Sequence, residues 1–490
     1  MRYTAGMDWL LVLLVFVIEW ASRIAALLIV PRRRLPTAGM AWLLFIFFIP
    51  LLGWIGFLIL GNYKLPKQRR ELQLRSNEVI DGILAELHVR KGLYTKIVDP
   101  PVNPKWQSVV DLTFAYSRFP SLSGNTLSVI DEYDEIIDRI CKDIDAATQQ
   151  VYVEYYIFTL DTATQPLIDA LARAKQRGID VRVLYDSWGS RKYTGRKAMI
   201  AAFEAADIPY RAMLPLQLPG RGYVRPDLRN HRKIVTIDGS IGYTGSQNLI
   251  ERHYERKDEI YYDELVVRVT GPIVGELSAL FETDWQAEGG EELHHIVPIT
   301  PSIRQLSGSA MQVLPSGPGY PDENNLKIFT HIFHLAEKSL VIVNPYFIPP
   351  ESMVSALITA AHRGVHVTMI NSASIDQVMV GYAQRSYYDT LLQAGVEIFL
   401  YKAPVFLHSK FMVVDDELVV VGSSNMDMRS FELDSELSLL CYDKTIAKQM
   451  AKAARMYQKR SSKLTLSEWR KRPISKQFIE NITRLTSALQ

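Results

Sequence analysis

The chain has 490 residues, enough for two or three domains and a sizeable core. Its 55 Lys and Arg residues nearly balance 53 Asp and Glu residues, and a formal net charge of +2 excludes a global field that would attract a nucleic acid backbone. The two cysteines, Cys141 and Cys441, are too few for a disulfide framework, so we expect buried thiols in a reducing compartment. Hydrophobic residues make up 48% of the chain, and their excess lies at the N-terminus.

Two apolar segments, residues 7–30 and 38–60, follow each other at the N-terminus. As a helix each would reach about 35 Å, enough to cross a hydrocarbon core of about 30 Å. They predict a transmembrane hairpin of two helices over residues 1–62, and not a cleaved signal peptide. Glu19 and Arg23 lie four residues apart and can pair on one helical face. Either this pair contacts the second helix or a lipid head group, or Arg23 extends toward the interface.

Basic residues flank both apolar segments. The loop between them holds Arg32, Arg33 and Arg34, whereas the side shared by the two ends holds Arg2, Lys64, Lys67, Arg69 and Arg70. The side of the two ends holds more basic residues than the loop, so the positive-inside rule predicts that the rest of the chain is cytoplasmic. We therefore expect a multi-pass protein of the cell membrane with cytoplasmic lobes.

A charged connector, residues 63–105, leads into apolar runs that alternate with helical patterns, as in an α/β fold. A strand, a helix that ends at Gly178 and a second strand follow in order, and the same order recurs with a helix that ends at Gly364. We therefore predict two lobes of one plan, residues 106–287 and 326–443. Two similar lobes often pack about a pseudo-twofold axis, which would bring equivalent parts of both lobes to one cleft.

The remaining segments connect and close the lobes. Residues 288–325 are rich in Gly, Pro and Ser and predict the crossing between the lobes. Residues 444–490 form a tail whose part from 444 to 476 holds eleven Lys and Arg residues against the single acid Glu468. This pattern predicts either basic amphipathic helices on an anionic bilayer or a solvated helix face that closes the second lobe.

One motif occurs twice: His-x-Lys, four residues, Asp, and then Gly-Ser-x-Asn. Its residues are His231, Lys233, Asp238, Ser246 and Asn248 in the first lobe, and His408, Lys410, Asp415, Ser423 and Asn425 in the second. Apolar residues follow each lysine and predict a strand, in which His and Lys share a face because alternate residues point the same way. A purely structural histidine would leave the duplication of the whole motif unexplained.

Two histidines and two lysines supply what phosphoryl transfer requires. The lysines can neutralise charge on the phosphate oxygens, one histidine can attack phosphorus, and the other can protonate the leaving oxygen. The Ser and Asn side chains can add hydrogen bonds. No cluster of carboxylates or cysteines with metal spacing accompanies either motif, so we expect neither a metal nor an organic cofactor.

The chain resembles the phospholipase D superfamily over nearly its whole length, and within it the branch of bacterial cardiolipin synthases. The resemblance rests on both His-x-Lys motifs and on the segments 228–235, 242–245, 344–349, 385–388, 394–396 and 422–433. The N-terminal apolar pair is also typical of this branch. Three positions depart from the family pattern: Asp434 and Ser435 stand where Asn and an aromatic residue are usual, and Glu264 stands where Asp is usual.

The resemblance implies transfer of a phosphatidyl group from one phosphatidylglycerol to another, which gives cardiolipin and glycerol. It implies that His231 forms a covalent phosphohistidine and that His408 acts first as acid and then as base. It assigns phosphate binding and histidine orientation to further residues: Lys233, Lys410, Ser246, Asn248, Ser423 and Asn425 for the phosphate, and Glu264 and Glu436 for the histidines. Asp238 and Asp415, although grouped with the catalytic motif, are expected to hold the lysines or the local turn.

Other functions remain open from the sequence. A phospholipase D-type hydrolase, or a phosphatidyltransferase with another acceptor, would carry the same motifs. A nucleic acid phosphodiesterase would need a basic groove with aromatic residues in the lobes, whereas the basic excess lies in the tail. A non-enzymatic lipid-binding protein would be expected to have lost part of one motif. We therefore expect phosphatidylglycerol and other anionic membrane lipids as partners and no nucleic acid; the sequence contains no signal for the oligomeric state.

Overall fold

The structure is a computed structural model that describes residues 3–32, 36–61, 65–67, 69–72, 97–215, 224–256, 259–292, 308–321 and 323–485. The middle parts of the predicted connector and of the predicted crossing lie outside the described residues, as do Arg2, Arg33, Arg34 and Lys64. The helices of the described part are, in chain order, α1 (Tyr3–Ile29), α2 (Pro36–Phe48), α3 (Pro50–Leu60), α4 (Pro104–Ser117), α5 (Tyr133–Asp145), α6 (Gln165–Gln176), α7 (Gly195–Ala205), α8 (Ile273–Ala287), α9 (Asn324–Leu335), α10 (Glu351–His362), α11 (Val378–Gln393), α12 (Met428–Glu432), α13 (Lys444–Lys459), α14 (Leu466–Arg470) and α15 (Ile474–Arg484).

The strands of the described part are, in chain order, β1 (Leu122–Ile130), β2 (Gln150–Tyr155), β3 (Asp180–Asp186), β4 (Tyr210–Met213), β5 (Lys233–Ile237), β6 (Ile241–Gly245), β7 (Tyr261–Asp263), β8 (Val266–Thr270), β9 (Ser309–Ser316), β10 (Ser339–Val343), β11 (Phe347–Ile348), β12 (His366–Ser372), β13 (Glu397–Tyr401), β14 (Val405–Leu407), β15 (Phe411–Val414), β16 (Leu418–Gly422), β17 (Met426–Asp427), β18 (Glu436–Tyr442) and β19 (Ser461–Leu464).

The two apolar segments at the N-terminus form different structures. Within α1, Leu11–Ile29 is long and apolar enough to cross a membrane. The second segment breaks between α2 and α3 at Ile49 and Pro50, because proline cannot donate a helical hydrogen bond and disfavours helical geometry in the residue before it. With 13 and 11 residues, neither piece spans about 30 Å of hydrocarbon. The described residues therefore contain one apolar helix of spanning length, and the predicted two-helix hairpin is not confirmed.

The α2–α3 pair instead folds back on itself beside α1. The rings of Trp42 and Phe57 meet with centroids 5.5 Å apart. Arg23 of α1 pairs with Glu19 at 3.1 Å and donates to the carbonyl oxygen of Phe47 at the end of α2, at 3.4 Å. Trp54 of α3 donates to Ser22 of α1 at 2.7 Å. The turn between α2 and α3 therefore lies beside the middle of α1, and α3 runs back along α2. Of the roles predicted for Arg23, contact with the second apolar segment is the one observed.

Strands from both halves of the chain form one continuous sheet, in the order β19-β13-β12-β10-β15-β16-β18-β9-β1-β8-β6-β5-β2-β3-β4. The α/β fold is confirmed. β1 and β9 meet as antiparallel neighbours at the junction of the halves. Outward from this junction, the halves repeat one succession of strands: β1, β8, β6, β5, β2 and β3 on one side, and β9, β18, β16, β15, β10 and β12 on the other. β5, which begins at the motif lysine Lys233, and β15, which begins just after Lys410, occupy equivalent places.

One strand lies where the sequence predicted only a crossing. β9 falls within residues 288–325 and pairs with β18 from Ala310 to Ser316. Six consecutive residues of β9, from 311 to 316, are buried, so the strand has no exposed polar face. A strand buried on both faces lacks the alternation by which strands are recognised in a sequence. The latter part of the predicted crossing therefore belongs to the second half of the sheet.

The basic tail also begins inside the second lobe. Met450 and Tyr457 of α13 are 0% and 3% exposed and pack in the apolar core below the sheet. Trp469 of α14 packs against Tyr388 of α11, with ring centroids 5.2 Å apart. Of the two alternatives for the tail, closure of the second lobe is the one that these contacts support for α13 and α14.

Candidate active site

His231 is held by a short backbone pairing between the two lobes. Its N–H donates to the carbonyl oxygen of Ser435 at 2.8 Å, and the N–H of Ser435 donates to the carbonyl oxygen of Arg229 at 2.8 Å. Ser435 is followed by Glu436, whose carboxylate oxygens lie 3.0 and 3.1 Å from Nδ1 of His231. The residue that orients the histidine of the first lobe therefore comes from the second lobe.

His408 is held in the same way with the lobes exchanged. β14, which precedes it, runs parallel to β7, and the N–H of His408 donates to the carbonyl oxygen of Asp263 at 2.8 Å. The next residue is Glu264, whose carboxylate oxygens lie 2.8 and 2.9 Å from Nδ1 of His408. A carboxylate that accepts a hydrogen bond from Nδ1–H leaves Nε2 free to act as nucleophile or base. Both histidines have this arrangement.

The two lysines of the motifs are buried and point at the same site. Lys233 and Lys410 are 1% and 3% exposed. Each ammonium group donates to the carbonyl oxygen of its own motif histidine, Lys233 to His231 at 2.7 Å and Lys410 to His408 at 2.6 Å. These bonds fix each lysine beside its histidine and leave further N–H groups available to an anion.

Burial and crowding of positive charge dominate the electrostatics. Burial lowers the pKa of Lys233 to about 8 and that of Lys410 to about 7, although both glutamates oppose the shift. Burial likewise lowers the pKa of His408 to about 4, and it holds the pKa of His231 well below its ordinary value. Each histidine's pKa is lowered further by the lysine of the other motif, so the two motifs share one site.

The two glutamates differ in charge. Burial acts to raise the pKa of Glu264, but attraction and hydrogen bonding to His408 overcome it and hold that pKa below its ordinary value. Burial raises the pKa of Glu436 to about 7 despite attraction by Lys233. Near neutral pH, Glu264 is therefore an anion, whereas Glu436 is partly neutral.

The four predicted Ser and Asn residues divide into two groups. Ser246 bonds to the backbone of Leu265, and Ser423 bonds to Glu436, so these buried hydroxyls brace the strands and the glutamate. Asn248 and Asn425 are 3% and 8% exposed, and each has a side-chain oxygen without a hydrogen-bond partner in the described part of the chain. The asparagines therefore have hydrogen-bonding capacity left for a ligand, whereas the serines act through their protein partners.

The two aspartates of the motif lie away from the histidines. Asp238 directly follows β5, and at about 3.3 Å per residue it stands about 16 Å along the chain from Lys233. Its carboxylate accepts from the N–H groups of Thr148, Gln149 and Gln150 at 2.8 to 2.9 Å. Asp415 accepts in the same way from the backbone at positions 337–339 and pairs with Lys105. Of the two roles predicted for these aspartates, these contacts support holding the local turn.

Comparison with known proteins shows the family to which the chain belongs. The family model described as cardiolipin synthase, PLD-like domain, matches residues 140–285 and 329–457, more than half of the chain. The chain belongs to this family. Cardiolipin synthase A of Proteus mirabilis is 33% identical over 94% of each chain, and cardiolipin synthase A of Pectobacterium carotovorum is 32% identical over 94% of each.

A solved structure has a similar fold. The crystal structure of phosphatidylserine synthase from Haemophilus influenzae superposes with a TM-score of 0.60 at 17% identity, covering 79% of this chain and 100% of that one. At this identity the similarity shows the fold alone. The cardiolipin synthase family is therefore established by sequence and its two-lobed architecture by structure.

Two neighbours of the histidines were not predicted as site residues. Tyr262, two residues before Glu264, lies edge-on to His408 with ring centroids 5.4 Å apart. Asp434, two residues before Glu436, occupies the matching position beside His231, where its charge raises the pKa of that histidine. Asp434 is one of the departures from the cardiolipin synthase pattern, and Arg429 lies 3.5 Å from it. Their spacing from the glutamates was the signal that could have identified both.

Two more side chains complete the His231 half of the site. Tyr156 lies edge-on to His231 with ring centroids 4.8 Å apart, and the ammonium of Lys233 lies 5.6 Å from the centre of the same ring. Ser430 donates to Glu436 at 2.8 Å. Ser430 lies inside the segment that carries the family resemblance, but Tyr156 only follows an apolar strand and had no motif to mark it.

Proposed function

We propose that this chain is a phosphatidyltransferase that joins two phosphatidylglycerol molecules into cardiolipin and releases glycerol. Membership of the cardiolipin synthase family supports this reaction, as do relatives of that name that match almost the whole chain. The observation that carries the chemistry is the reciprocal pairing of His231 with Glu436 and of His408 with Glu264. It supplies two imidazoles with free Nε2 atoms in one site that also holds two lysines.

In the first half-reaction, Nε2 of His231 attacks phosphorus of the donor. The bond from phosphorus to the glycerol oxygen breaks, His408 protonates that oxygen, and glycerol leaves. In the second, Nε2 of His408 takes the proton of a primary hydroxyl on the acceptor, whose oxygen attacks phosphorus as the P–N bond breaks. The product is cardiolipin, and both histidines return to their starting state.

The charges of the two glutamates support this order. Anionic Glu264 favours a protonated His408, as an acid requires, whereas partly neutral Glu436 leaves His231 in the neutral form that attacks. Arrival of a phosphodiester anion would raise the lowered pKa of His408 and of both lysines, because negative charge favours their protonated forms. Binding of the substrate would therefore favour the protonated, positively charged forms of the groups that bind it.

The repeated strand order in the sheet supports a pseudo-twofold axis at the β1–β9 junction. Such an axis relates residues 106–287 to the second lobe, and it exchanges His231 with His408 and Glu436 with Glu264. The predicted boundaries then need one change. The second lobe takes in β9 and α13, and so extends on both sides of residues 326–443.

Membrane attachment is part of the proposal. α1 crosses the bilayer once, and α2 and α3 enter and return on the side of the lobes. The sequence then has seven basic residues on the lobe side, Arg32, Arg33, Arg34, Lys64, Lys67, Arg69 and Arg70, against Arg2 on the other. By the positive-inside rule this favours cytoplasmic lobes with the N-terminus outside. The transmembrane hairpin predicted from the sequence would instead have placed both of its ends in the cytoplasm.

The C-terminal helix offers a second contact with the bilayer. Ile474, Phe478 and Ile482 follow each other at intervals of four on α15 and are 83%, 63% and 48% exposed. Basic residues lie nearby in sequence at Lys471, Lys476 and Arg484. An apolar stripe with basic flanks is typical of helices that lie on anionic lipid surfaces. We assign this role to α15 and not to the buried α13.

Product analysis tests the function. The full chain would be expressed in a host that makes phosphatidylglycerol but lacks cardiolipin, and its lipids compared with those from a His231→Ala, His408→Ala double variant. Cardiolipin with an equal amount of glycerol is expected only from the native chain. Phosphatidic acid alone would indicate a hydrolase, a different diester product would indicate another acceptor, and cardiolipin from the double variant would contradict the proposed mechanism.

A further inference from the structure

A cavity of about 90 Å³ lies in the second lobe, at the carboxyl ends of the parallel strands β10, β12 and β13. Ligands of α/β sheets commonly bind at this edge. The side chains of Tyr346, Asp376, Arg385 and Phe406 are among those that line it. None of these side chains belongs to the His-x-Lys motifs.

The cavity adjoins His408. The ring of Phe406 has its centroid 6.0 Å from that of His408. Tyr262, which lies edge-on to His408, donates through its hydroxyl to Asp376 at 3.4 Å, and Tyr346 donates to the same carboxylate. Asp376 is also close enough to Lys410 to oppose the lowering of its pKa. A group bound in the cavity would therefore lie beside the proposed acid and base.

Polar groups in the cavity have capacity for a ligand. The hydroxyl of Ser374 is buried without a hydrogen-bond partner in the described part of the chain. Arg385 is half-buried at the wall, and no carboxylate of the described residues pairs with it. The corresponding edge of the first lobe has a different arrangement. There Asp186 accepts from the N–H groups at positions 188, 189 and 230 and pairs with Arg229.

The chemistry of transfer requires such a subsite. In each half-reaction the glycerol oxygen that leaves or attacks is opposite His231 and next to His408, so leaving glycerol and incoming glycerol use one place. The incoming glycerol differs because it carries its own phosphodiester, separated from the attacking oxygen by three carbons. A transferase with this acceptor therefore needs a second anion-binding group near His408, and a hydrolase does not.

We propose that this cavity is the acceptor subsite, in which Asp376 and Ser374 bind the glycerol hydroxyls and Arg385 binds the phosphate of the second phosphatidylglycerol. The proposal rests on the proposed function and names its acceptor site. Val378 and Met379, which follow the cavity residue Gln377 at the start of α11, are 63% and 54% exposed. These exposed apolar side chains, adjacent in sequence to the cavity lining, suit an acceptor whose acyl chains remain in the membrane.

The experiment uses the full-length protein in phosphatidylglycerol vesicles and measures glycerol, cardiolipin and phosphatidic acid together. Loss of the Arg385 charge should weaken binding of the acceptor phosphatidylglycerol. Water then attacks the phosphatidyl group on His231 instead. For Arg385→Gln we expect cardiolipin formed per glycerol released to fall at least tenfold, with phosphatidic acid making up the difference. Lys197 is exposed on α7, which follows β3 in the first lobe as α11 follows β12 in the second. The control Lys197→Gln should leave this ratio unchanged.

A second reaction separates the phosphate from the glycerol. Exchange of labelled free glycerol into phosphatidylglycerol needs the hydroxyl contacts but not a second phosphate. Arg385→Gln should retain this exchange within about threefold of the native rate, whereas Asp376→Asn should lose both exchange and cardiolipin formation by tenfold or more.

Equal losses of exchange and cardiolipin in Arg385→Gln, or no change in the product ratio, would overturn the acceptor subsite. A native protein that releases no glycerol and makes no cardiolipin would instead overturn the proposed function. The two failures are thus distinguished in the same assay.

Discussion

Nδ1 of His231, in the first lobe, lies 3.0 Å from the carboxylate of Glu436, in the second, and His408 and Glu264 repeat the relationship with the lobes exchanged. Neither lobe therefore contains both a motif histidine and the glutamate that contacts it. The β7–β14 pairing and the contact between Ser435 and His231 fix this exchange in the backbone. Each half of the site depends on correct docking of the other.

The carboxylates should be needed for catalysis and not for folding. Glu264→Gln removes the charge that favours a protonated His408, and we expect kcat to fall by about 10³-fold, as with other carboxylates that orient a catalytic histidine. Glu436→Gln should cost less at pH 6 than at pH 8, since burial raises the pKa of Glu436 to about 7 and the native residue is already largely neutral at the lower pH. Initial rates of glycerol release would measure both.

A matched control for these variants is Glu282→Gln in α8. Burial raises the pKa of Glu282 to about 8, so this residue is also largely neutral at pH 7, and it has no contact with either histidine. Its kcat should stay within about twofold of the native value. A loss in Glu264→Gln no larger than in this control would contradict the orienting role.

The motif aspartates should affect stability and not chemistry. Asp415→Asn keeps the shape of the side chain but weakens the hydrogen bonds to the N–H groups at positions 337–339 and the ion pair with Lys105. We expect a loss of about 1–3 kcal/mol in the free energy of unfolding, with kcat of the folded protein unchanged. Thermal denaturation in detergent and activity on the same sample would measure the two effects. A large loss of kcat without a lower Tm would contradict this structural role and support a catalytic one for Asp415.

Phosphate binding should weaken as pH rises. Burial holds the pKa of Lys410 at about 7 and that of Lys233 at about 8, so the empty site loses positive charge above these values. Inhibition by glycerophosphoglycerol, a soluble head-group analogue, should weaken by about tenfold between pH 6.5 and 9, the order expected when one charged contact to phosphate is lost. The Lys410→Gln variant should bind glycerophosphoglycerol weakly, and its inhibition should change less with pH. A native profile as flat as that of the variant would contradict the lowered lysine pKa values.

Stability of the empty protein should show the opposite trend. Between pH 7 and the ordinary lysine value of 10.5, the unfolded chain binds a proton at position 410 that the folded chain does not. The contribution of Lys410 therefore makes the folded state more stable as pH rises through this window.

Membrane topology can be tested with single cysteines. In a Cys141→Ser background, Thr4→Cys should react with an impermeant maleimide from the outside of right-side-out vesicles, and Lys67→Cys should react only after permeabilisation. The reason is that α1 spans the membrane whereas α2 and α3 are each too short to do so. Protection of both positions until permeabilisation would support two full spans instead.

Much of the site could be predicted because its residues are repeated in the chain. His231, Lys233, His408 and Lys410 were recognised by the duplicated spacing, and the structure brings all four together. The exchange of glutamates between lobes could not be predicted, since a sequence does not say which lobe supplies the carboxylate to a histidine. Tyr156 and Asp376 had no motif, and only the folded chain places them beside the histidines.

The errors in the fold have local physical causes. Hydropathy cannot distinguish a straight helix from a folded pair, although the Ile49–Pro50 step carried a signal for a break. Gly53 then lets α3 approach α2, since a Cβ atom there would lie 2.6 Å from Cα of Ile46. Basic residues along α13 suggested a bilayer surface, but Met450 and Tyr457 on its other face are buried in the core.

The covalent intermediate is the most direct test of the central claim. The native protein and the His231→Asn and His408→Asn variants would be mixed with phosphatidylglycerol labelled at phosphorus, quenched in base within one turnover, and digested for peptide mapping. We predict an acid-labile label on the peptide that contains His231, absent from His231→Asn. In His408→Asn the label should form more slowly but then persist, because that variant lacks both the acid for the leaving glycerol and the base for the acceptor. Label on the His408 peptide, or cardiolipin formed in a single turnover with no labelled histidine, would contradict the account.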